Sequence, residues 1–416
     1  MLDLNTVKYK DIYCTDESCA VQKDRYEKTL SEFIKTFEGK DPEAIFSAPG
    51  RTEVGGNHTD HQHGEVLAAS INKDAIAIVS LRSDDQVNVF ADGFGMTNIS
   101  LSDLDIREDE KGSTAALIRG VLSGLKNNGY VLGGFDAYIT SDVLIGAGLS
   151  SSAAFETLIG TIISGLFNSM SIDPVEIAKI GQYAENIYFG KPCGLMDQMA
   201  CSVGGLVHID FENPEEPVVD KVDFDFTKTG YVLCITDTKG SHADLTDEYA
   251  AVPLEMKKIA SLLGYEVLRP VSFEDIMDNV DMLREKAGDR AVLRAIHFVN
   301  ESLRAQDEAN ALKDGDLKEF LSLVKQSGDS SFKYLQNVYT NKDVTTQNVS
   351  LALAVSDTIL NPDEASRVHG GGFAGTIQAF VKKENAGRYQ KNMDKVFGKG
   401  SCEILSIRKY GGIRVL

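Results

Sequence analysis

Two polar segments of this sequence combine side chains that can bind an anion with side chains that can move a proton. The first, residues 47–64, carries Arg51, two acidic residues and three histidines among glycines and small residues. The second, residues 184–199, carries Glu185 and Asp197 among mostly apolar neighbours. An acidic side chain in apolar surroundings is partly desolvated, which suits a carboxylate for work as a base or a metal ligand. The competing interpretation of these two acids is structural, a charge at a helix end and a helix-capping aspartate.

The segment from Gly146 to Ala153 consists of glycine, alanine and serine apart from one leucine, and an apolar helical stretch follows it as far as Leu166. Glycine lets the backbone approach a ligand closely, and a helix N-terminus presents free N–H groups to an anion. Three consecutive serines add hydroxyl groups for phosphate or metal binding. The pattern predicts a phosphate-binding loop, although not one of the Walker type, because no Gly-Lys-Ser/Thr follows. A flexible linker or an ordinary helix N-cap is the alternative.

Two further patterns favour a pocket for a small molecule. His58, Asp60, His61 and His63 are close in sequence, but neither a cysteine nor a helical His-x-x-x-His pair accompanies them. A polar pocket is therefore favoured over a dedicated metal site. Three glycines, residues 370–372, precede a strand-like segment and permit close backbone approach to a ligand, with a ligand-free turn as the other interpretation.

The elements that position these residues mix strands and helices throughout the chain. Ala75–Arg82 and Val87–Ala91 are rich in valine and isoleucine and are predicted to pair as a hairpin across residues 83–86. Asp173 and Pro174 predict a helix start, as N-cap and first-turn proline. Further predicted strands are Phe135–Ile139, Leu206–Ile209, Tyr231–Asp237, Phe373–Lys382 and Cys402–Arg408, and further predicted helices cover 247–264, 273–285, 289–308, 315–326 and 384–397. The fold class is therefore predicted to be α+β.

The composition limits the partners that the protein can have. With 42 basic and 62 acidic residues the formal net charge is −20, so broad electrostatic binding to nucleic acid or to an anionic membrane is not expected. The sequence has neither a run of 18 apolar residues nor a signal-peptide pattern. The six cysteines are scattered, without a Cys-x-x-Cys pair, as in proteins with reduced thiols. We expect a cytoplasmic protein.

Taken in order, these segments resemble the motifs of the GHMP kinase superfamily, and within it those of the galactokinase family. The matching segments are Pro49-Gly50-Arg51 with His58-Thr59-Asp60, the loop from Gly146 to Ala153, the stretch from Ala184 to Gln198, the stretch from His242 to Tyr249, and the run from Gly370 to Gly375. One such match would be weak, whereas all of them in order and at this spacing are specific. The resemblance covers residues 22–416.

The resemblance implies a two-lobed α+β fold with the active site in the cleft between the lobes. The expected division is an N-terminal extension over residues 1–21, an N-terminal lobe over 22–212 and a C-terminal lobe over 213–416. The implied activity is that of an ATP-dependent sugar 1-kinase, which phosphorylates galactose to galactose 1-phosphate. The implied small molecules are the sugar, ATP and Mg²⁺, and no nucleic acid, membrane or obligate protein partner is expected.

The same resemblance implies roles for individual residues. Asp197 is the implied base beside the sugar hydroxyl, and Arg51 is its charge partner near the transferred phosphoryl group. The implied ATP-binding residues are Gly146, Ala147, Gly148, Leu149, Ser150, Ser151, Ser152 and Ala153. The implied Mg²⁺ ligands are Ser151, Ser152 and Glu185, with either serine as the hydroxyl ligand. The implied sugar contacts are Asn57, His58, Asp60, Gly194 and Tyr249.

The first motif departs from the usual family signature, Gly-Arg-x-Asn-Leu-Ile-Gly-Glu-His-Thr-Asp-Tyr. Glu53 stands in place of the asparagine, Asn57 in place of the glutamate and His61 in place of the tyrosine. The family's glutamate helps to recognise the C6 hydroxyl of the hexose. With an amide at position 57, more than one sugar is compatible with the motif. The hypotheses are a galactose kinase, a kinase for a related sugar such as galacturonate or an amino or deoxy galactose, and a non-catalytic sugar sensor. The intact Arg51 and Asp197 argue against the sensor.

Overall fold

The computed structural model describes residues 2–143, 149–241 and 245–416. The α-helices in these ranges are α1 (Tyr9–Tyr13), α2 (Asp16–Thr36), α3 (Thr114–Asn127), α4 (Ser151–Phe167), α5 (Pro174–Tyr183), α6 (Met196–Val203), α7 (Thr246–Leu262), α8 (Phe273–Asp278), α9 (Val280–Ala287), α10 (Asp289–Lys313), α11 (Leu317–Ser330), α12 (Asn348–Ile359) and α13 (Lys383–Phe397). The β-strands are β1 (Ala44–Gly55), β2 (Glu65–Leu81), β3 (Gln86–Ala91), β4 (Gly95–Ser100), β5 (Phe135–Ser141), β6 (Leu206–Asp210), β7 (Val218–Val222), β8 (Tyr231–Asp237), β9 (Ala365–His369), β10 (Thr376–Lys382), β11 (Cys402–Leu405) and β12 (Ile413–Arg414). Among the described helices, none has the length and apolar character that crossing a membrane requires.

The larger sheet has the strand order β12-β1-β2-β5-β3-β4, and β6 and β7 extend it from β2. Successive side chains of a strand point to opposite faces, so neighbouring residues of β1 and β2 serve two separate cores. On one face, Phe46 packs with Ile159 of α4 in a cluster that α3 and α5 complete. On the other face, Ile76 packs with Phe33 of α2. β1 is buried along its whole length as a result.

The hairpin predicted from the sequence is wrong. β2 and β3 are not neighbours, because β5 lies between them and pairs antiparallel with β2 at Ala77↔Ile139 and parallel with β3 at Val89↔Ala137. Phe135, Ala137 and Ile139 of β5 belong to the core beneath the sheet, and their burial favours a central position for this strand. The apolar pattern thus identified β3, β5 and the second half of β2 as strands, but not which strands are neighbours.

The smaller sheet is antiparallel, with the order β11-β8-β10-β9. On one face, Tyr389 of α13 packs against Ala379 of β10, and α12 covers the same side. On the other face, Phe320 of α11 packs against Phe380 of β10. The predicted strand Tyr231–Asp237 and the predicted helix 384–397 are confirmed, whereas β9 and α12 were not predicted and the helix expected over 273–285 is two helices, α8 and α9. Strands and helices mix in both parts, so the predicted α+β class is confirmed.

The second half of β1 lies between the two sheets. Gln378 of β10 donates from Nε2 to the Thr52 hydroxyl at 2.7 Å and to the Glu53 carbonyl at 3.0 Å. Arg367 of β9 donates from Nη1 to the Val54 carbonyl at 2.5 Å. Side chains of the smaller sheet therefore satisfy polar groups of β1, which fixes residues 51–55 at the join.

A buried polar cluster fastens the first helices and the region around residue 408 to the larger sheet. The Asp74 carboxylate accepts hydrogen bonds from Tyr13 Oη at 2.7 Å, Arg25 Nη1 at 2.8 Å and Arg408 Nη1 at 2.9 Å. α2 also runs across residues 21 and 22, where a boundary is predicted from the sequence. β12 pairs with β1 at Phe46↔Arg414.

Candidate active site

A cavity of about 780 Å³ opens between the second half of β1, the segment before α6 and the glycine loop before β10. Its polar wall residues are Arg51, Glu53, His58, Asp60, His61, Lys179, Gln182 and Glu215. Gly194, Gly370 and Gly371 complete the wall, together with a few apolar side chains. A concave pocket of this size with several convergent polar groups is typical of a binding site for a small polar molecule.

Arg51 and Asp197 form a two-pronged ion pair beside this cavity. Arg51 Nε lies 2.7 Å from Asp197 Oδ1, and Arg51 Nη2 lies 2.8 Å from Asp197 Oδ2. Arg51 follows a register shift in the pairing of β1 with β2, and Asp197 is in the first turn of α6. The Ser150 hydroxyl donates to the same carboxylate. Such a bidentate pair fixes both side chains more firmly than a single contact does.

The surroundings of Asp197 keep its carboxylate ionised. Burial alone would raise the pKa of Asp197, but the charge of Arg51 and the hydrogen bonds from Arg51 and Ser150 outweigh it, so this pKa lies below the usual aspartate value. The N-terminal end of α6 favours negative charge at the same place. At neutral pH the carboxylate is therefore ready to accept a hydrogen bond from a hydroxyl group, although its low pKa makes it a weak base.

The three consecutive serines lie at the N-terminus of α4. Ser150 has a left-handed backbone conformation with φ of 55°, and Ser151 is the first residue of the helix. Ser151 and Ser152 line a second cavity of about 600 Å³. The aromatic residues on its walls are Phe94, Phe155 and Phe189. Free N–H groups of a helix start beside flat apolar walls suit a ligand that has both phosphates and an aromatic base. Sequence reasoning did not find these aromatic residues, because they lie on separate elements and share no spacing.

The remaining residues expected to bind ATP fall into two groups. Gly146, Ala147 and Gly148 lie outside the described residues, as do residues 242–244 of the segment before Tyr249. Leu149 and Ala153 are buried in the apolar core. Their side chains therefore face away from the cavity, and only their backbone groups remain for ligand binding.

Glu185 belongs to a cluster of polar side chains next to the serines. Residues 184–189 continue α5 as a π-helical turn, a geometry that recurs at functional sites. Glu185 Oε1 accepts from Ser152 Oγ and from Lys191 Nζ, both at 3.2 Å, and Glu185 Oε2 accepts from Gln198 Nε2 at 2.8 Å. Gln198 Nε2 also lies 3.1 Å from Glu156 Oε2.

Glu156 was not predicted from the sequence as part of this cluster. Burial and the nearby charge of Glu185 raise its pKa well above the usual glutamate value. Its Oε1 atom is buried and has no hydrogen-bond partner within the described part of the chain. Across the same residues, no group of three or more histidine, cysteine and acidic side chains is arranged to enclose a metal ion. Any cation at this cluster would therefore depend on few protein ligands and on a bound anion.

His58, Asp60 and Gly194, which were expected to contact the sugar, all lie on the wall of the larger cavity. A Cβ atom on Gly194 would lie 2.4 Å from Asp60 Oδ2, so the glycine is needed for the carboxylate to occupy its place. Burial raises the pKa of Asp60. His58 donates from Nε2 to the Gly371 carbonyl at 3.0 Å, which joins the first motif to the glycine loop.

The structure corrects the expectation that Asn57 contacts the sugar. Its side chain is fully buried, and Nδ2 donates to Glu53 Oε1 at 3.0 Å and to the Gly370 carbonyl at 2.8 Å. Oδ1 accepts from Ser331 Oγ at 3.3 Å and from Asn337 Nδ2 at 2.8 Å. All hydrogen-bonding positions of the amide are thus used inside the protein. Glu53 and His61, two further departures from the signature, line the cavity.

Tyr249 lies behind the glycine loop. Its hydroxyl donates to the Gly372 carbonyl at 2.8 Å, and its ring packs edge-on against Phe373. A Cβ atom on Gly371 would lie 2.8 Å from the tyrosine ring. Tyr249 therefore supports the loop that carries Gly371 on the cavity wall.

Comparisons with known proteins agree with this fold. The GHMP kinases N-terminal domain matches residues 116–205, and the galactokinase galactose-binding signature matches residues 31–81. A crystal structure of Lactococcus lactis galactokinase complexed with galactose has a TM-score of 0.78 to this chain at 24% identity, covering 93% of this chain and 99% of that one. The fold is thus that of a GHMP kinase, and the two-lobed α+β prediction is confirmed.

Curated relatives are similar over most of the chain. A galactokinase of Clostridium tetani is 31% identical over 374 residues, which are 88% of this chain and 91% of that protein. A galactokinase of Streptomyces coelicolor is 29% identical over 371 residues, 89% of this chain and 92% of that protein. The chain belongs to the galactokinase family.

Proposed function

We propose that this protein is an ATP-dependent kinase that phosphorylates galactose at its anomeric hydroxyl to give galactose 1-phosphate. The observation that carries the proposal is the position of the Arg51–Asp197 pair between the two cavities. Arg51 lines the cavity of about 780 Å³, and Asp197 accepts a hydrogen bond from Ser150, whose neighbours Ser151 and Ser152 line the other cavity. A sugar hydroxyl in the first cavity and a phosphate in the second would meet at this pair.

The second cavity is the proposed ATP site. Its serines stand at the N-terminus of α4, where free N–H groups and the positive end of the helix dipole favour phosphate. Phosphoryl transfer depends mostly on positioning and on stabilising negative charge. In a chain with a formal net charge of −20, that stabilisation has to be local, and Arg51 and Lys191 supply positive side chains here.

The residues next to the serines fit a magnesium ion. Mg²⁺ prefers oxygen ligands and is held by one or two carboxylates together with substrate phosphates. Ser151, Ser152 and Glu185 offer such oxygens and would hold the ion, and the unpartnered buried oxygen of Glu156 lies in the same cluster. When bound, the ion would neutralise charge on the phosphates of ATP.

Asp197 is the proposed base and Arg51 the proposed charge partner. The carboxylate would hold the sugar hydroxyl by a hydrogen bond and take its proton as the new O–P bond forms. Because Arg51 lowers the pKa of Asp197, the positioning of the hydroxyl contributes more than basicity does. Arg51 would place its guanidinium near the phosphoryl group while it keeps Asp197 in orientation.

The cavity wall favours a neutral sugar over galacturonate. Glu53 and Asp60 both place carboxyl groups on this wall, and a carboxylate on the ligand would be repelled by them. Their oxygens accept hydrogen bonds, and the hydroxyl groups of a sugar can donate them.

The six cysteines are all free thiols, which supports the proposed cytoplasmic location.

The test is ADP release by the purified protein with Mg-ATP and a panel of galactose, galacturonate, N-acetylgalactosamine, glucose and arabinose. We expect galactose to lead, and Asp197→Asn to lower kcat roughly 10²- to 10⁴-fold while calorimetry still detects sugar binding. Asp307→Asn, an exposed aspartate of α10, is the matched control and should keep full activity. A different leading sugar would overturn the galactose assignment, and sugar-dependent ATP binding without turnover would replace the enzyme by a sensor.

A further inference from the structure

We propose that Glu53 is a sugar-binding and specificity-determining residue of this chain, whose Oε2 atom accepts a hydrogen bond from one non-anomeric hydroxyl of the sugar. The proposal rests on the proposed sugar kinase function and names a contact of that same site. It concerns a position that the sequence marked only as a departure from the family signature.

The hydrogen bonds of the Glu53 carboxylate leave one oxygen for a ligand. Arg367 Nη2 donates to Oε1 at 2.7 Å, and Asn57 Nδ2 donates to the same atom at 3.0 Å. Across residues 2–143, 149–241 and 245–416, the side-chain hydrogen bonds of Glu53 all end on Oε1. Glu53 is 5% exposed and belongs to the wall of the larger cavity, so Oε2 is the acceptor that it offers there.

The groups behind Glu53 hold it in one orientation. Arg367 is fully buried and also donates to the Val54 carbonyl, so its guanidinium is fixed to β1 at two points. Asn57 is fixed in turn by the Gly370 carbonyl and by Asn337. A carboxylate held in this way loses little conformational entropy when a ligand binds.

The same arrangement predicts which ligands the cavity accepts. An ionised carboxylate only accepts hydrogen bonds, so the ligand atom opposite Glu53 has to be a donor. A hydroxyl group satisfies this condition and a carboxylate does not. Asp60, on the same wall, adds a second carboxyl group. The ligand therefore carries a hydrogen-bond donor at that point, such as a sugar hydroxyl group, and not a carboxylate.

The exchange of side chains at positions 53 and 57 has a physical explanation in these contacts. The amide of Asn57 needs two acceptors and two donors, and the interior supplies them in Glu53, Gly370, Ser331 and Asn337. A carboxylate at position 57 would instead face the carboxylate of Glu53. The Asn57 amide is therefore buried in the interior, and the Glu53 carboxylate is on the cavity wall, where a ligand can reach it.

The experiment compares Glu53→Gln with the unaltered protein on galactose and on 2-, 3-, 4- and 6-deoxygalactose. Glu53→Gln should raise the KM for galactose roughly 10- to 100-fold, the effect expected for a lost hydrogen bond to a charged acceptor, and leave kcat within about threefold. One of the deoxy sugars lacks the hydroxyl group that donates to Glu53. For that sugar, Glu53→Gln should not raise the KM above that of the unaltered protein. The ratio of galacturonate to galactose binding, measured by calorimetry, should rise.

The control is Glu308→Gln, which alters a buried glutamate that acts electrostatically on the same Arg367 but lies off the cavity wall. It should leave KM unchanged. If Glu53→Gln fails to fold, Glu53→Asp keeps the charge for Arg367 and withdraws the acceptor, and the same pattern of KM values is expected.

The proposal would be overturned if Glu53→Gln raised the KM equally for all deoxy sugars, or if Glu308→Gln raised the KM for galactose as much as Glu53→Gln does. Either result would leave Glu53 with a structural role alone. These outcomes require that the unaltered protein turns over galactose. Failure of the unaltered protein on every sugar would instead count against the proposed function.

Discussion

The end of β1 offers a sharp test of the packing between the larger sheet and α10, because Gly55 lies directly against Glu308 of that helix. A Cβ atom at position 55 would lie 1.7 Å from Glu308 Oε2 and 2.7 Å from its Cδ atom. Burial raises the pKa of Glu308 well above the usual glutamate value. Neither carboxyl oxygen has a hydrogen-bond partner among the residues that the structure describes, so no hydrogen bond there holds the group in place.

Gly55→Ala should lower the free energy of unfolding by about 1–2 kcal/mol. The new methyl group stands at about half the ordinary contact distance of 3.5–4.0 Å from the carboxyl oxygen, and forcing it in costs about 1–3 kcal/mol. The reduced entropy of the unfolded chain returns about 0.4–1 kcal/mol. For a chain of 416 residues this corresponds to a fall in Tm of about 1 °C per kcal/mol, which calorimetry can resolve. Circular dichroism should follow the same transition; tryptophan fluorescence cannot be used, since the chain has no tryptophan.

Two further variants decide whether Glu308 is the cause. Gly387→Ala, in α13, meets no atom within 4 Å and should stabilise the protein by up to about 1 kcal/mol. In a Glu308→Ala background, Gly55→Ala should lose most of its cost because the obstructing carboxyl group is gone. An equal cost with and without Glu308 would refute the reasoning.

Other predictions concern the site and its pH dependence. Gly194→Ala places a methyl group against Asp60 and should raise the KM for galactose about 10-fold or more, with the KM for ATP unchanged in steady-state kinetics; unchanged galactose kinetics would contradict it. Glu185→Gln should raise the Mg²⁺ concentration for half-maximal activity about 10-fold or more while calorimetry shows the same galactose affinity, and an unaltered Mg²⁺ requirement would remove this residue from the metal site. Burial lowers the pKa of His297 to about 4, so between about pH 6.5 and this value the unfolded chain takes up a proton that the folded chain does not. The free energy of unfolding should therefore fall on acidification by up to about 1.4 kcal/mol per pH unit because of this residue. His297→Gln can still donate to the Asn57 carbonyl, and it should reduce the slope of unfolding free energy against pH by that amount, measured by urea unfolding. Parallel curves for the variant and the unaltered protein would disprove the prediction.

The local features of the fold were predictable because their signals are local. Asp173 caps α5 as expected, with its side chain accepting from the Val175 N–H at 2.7 Å. The serine run does begin a helix. The predicted pairing of Arg51 with Asp197 came from the family resemblance, since 146 positions separate the two residues and no pattern in the chain connects them.

The features that were not predictable depend on distant residues. The order of the strands follows from where β5 buries its apolar side chains, and an apolar run carries no information about its neighbours. The placement of Asn57 depends on Asn337, which no sequence pattern joins to it. Sequence reasoning recognised that positions 53 and 57 were unusual, but only the three-dimensional contacts show that the amide is buried and that Glu53 is on the cavity wall.

The hydrogen bonding of β1 has a consequence for the synthesis of the chain. One edge of this strand is completed by β12, where the Val415 N–H donates to the Ile45 carbonyl at 2.7 Å, and by side chains of β9 and β10. Until the ribosome has made those residues, the edge of this strand, which is buried along its whole length in the folded protein, offers unpaired N–H and C=O groups, and such an edge promotes association with other strands. Nascent chains should therefore need protection against aggregation until residues 413–415 have been made. A protein ending at residue 412 should sediment in the insoluble fraction to a greater extent than the full chain, and equal solubility would argue against this dependence on late residues.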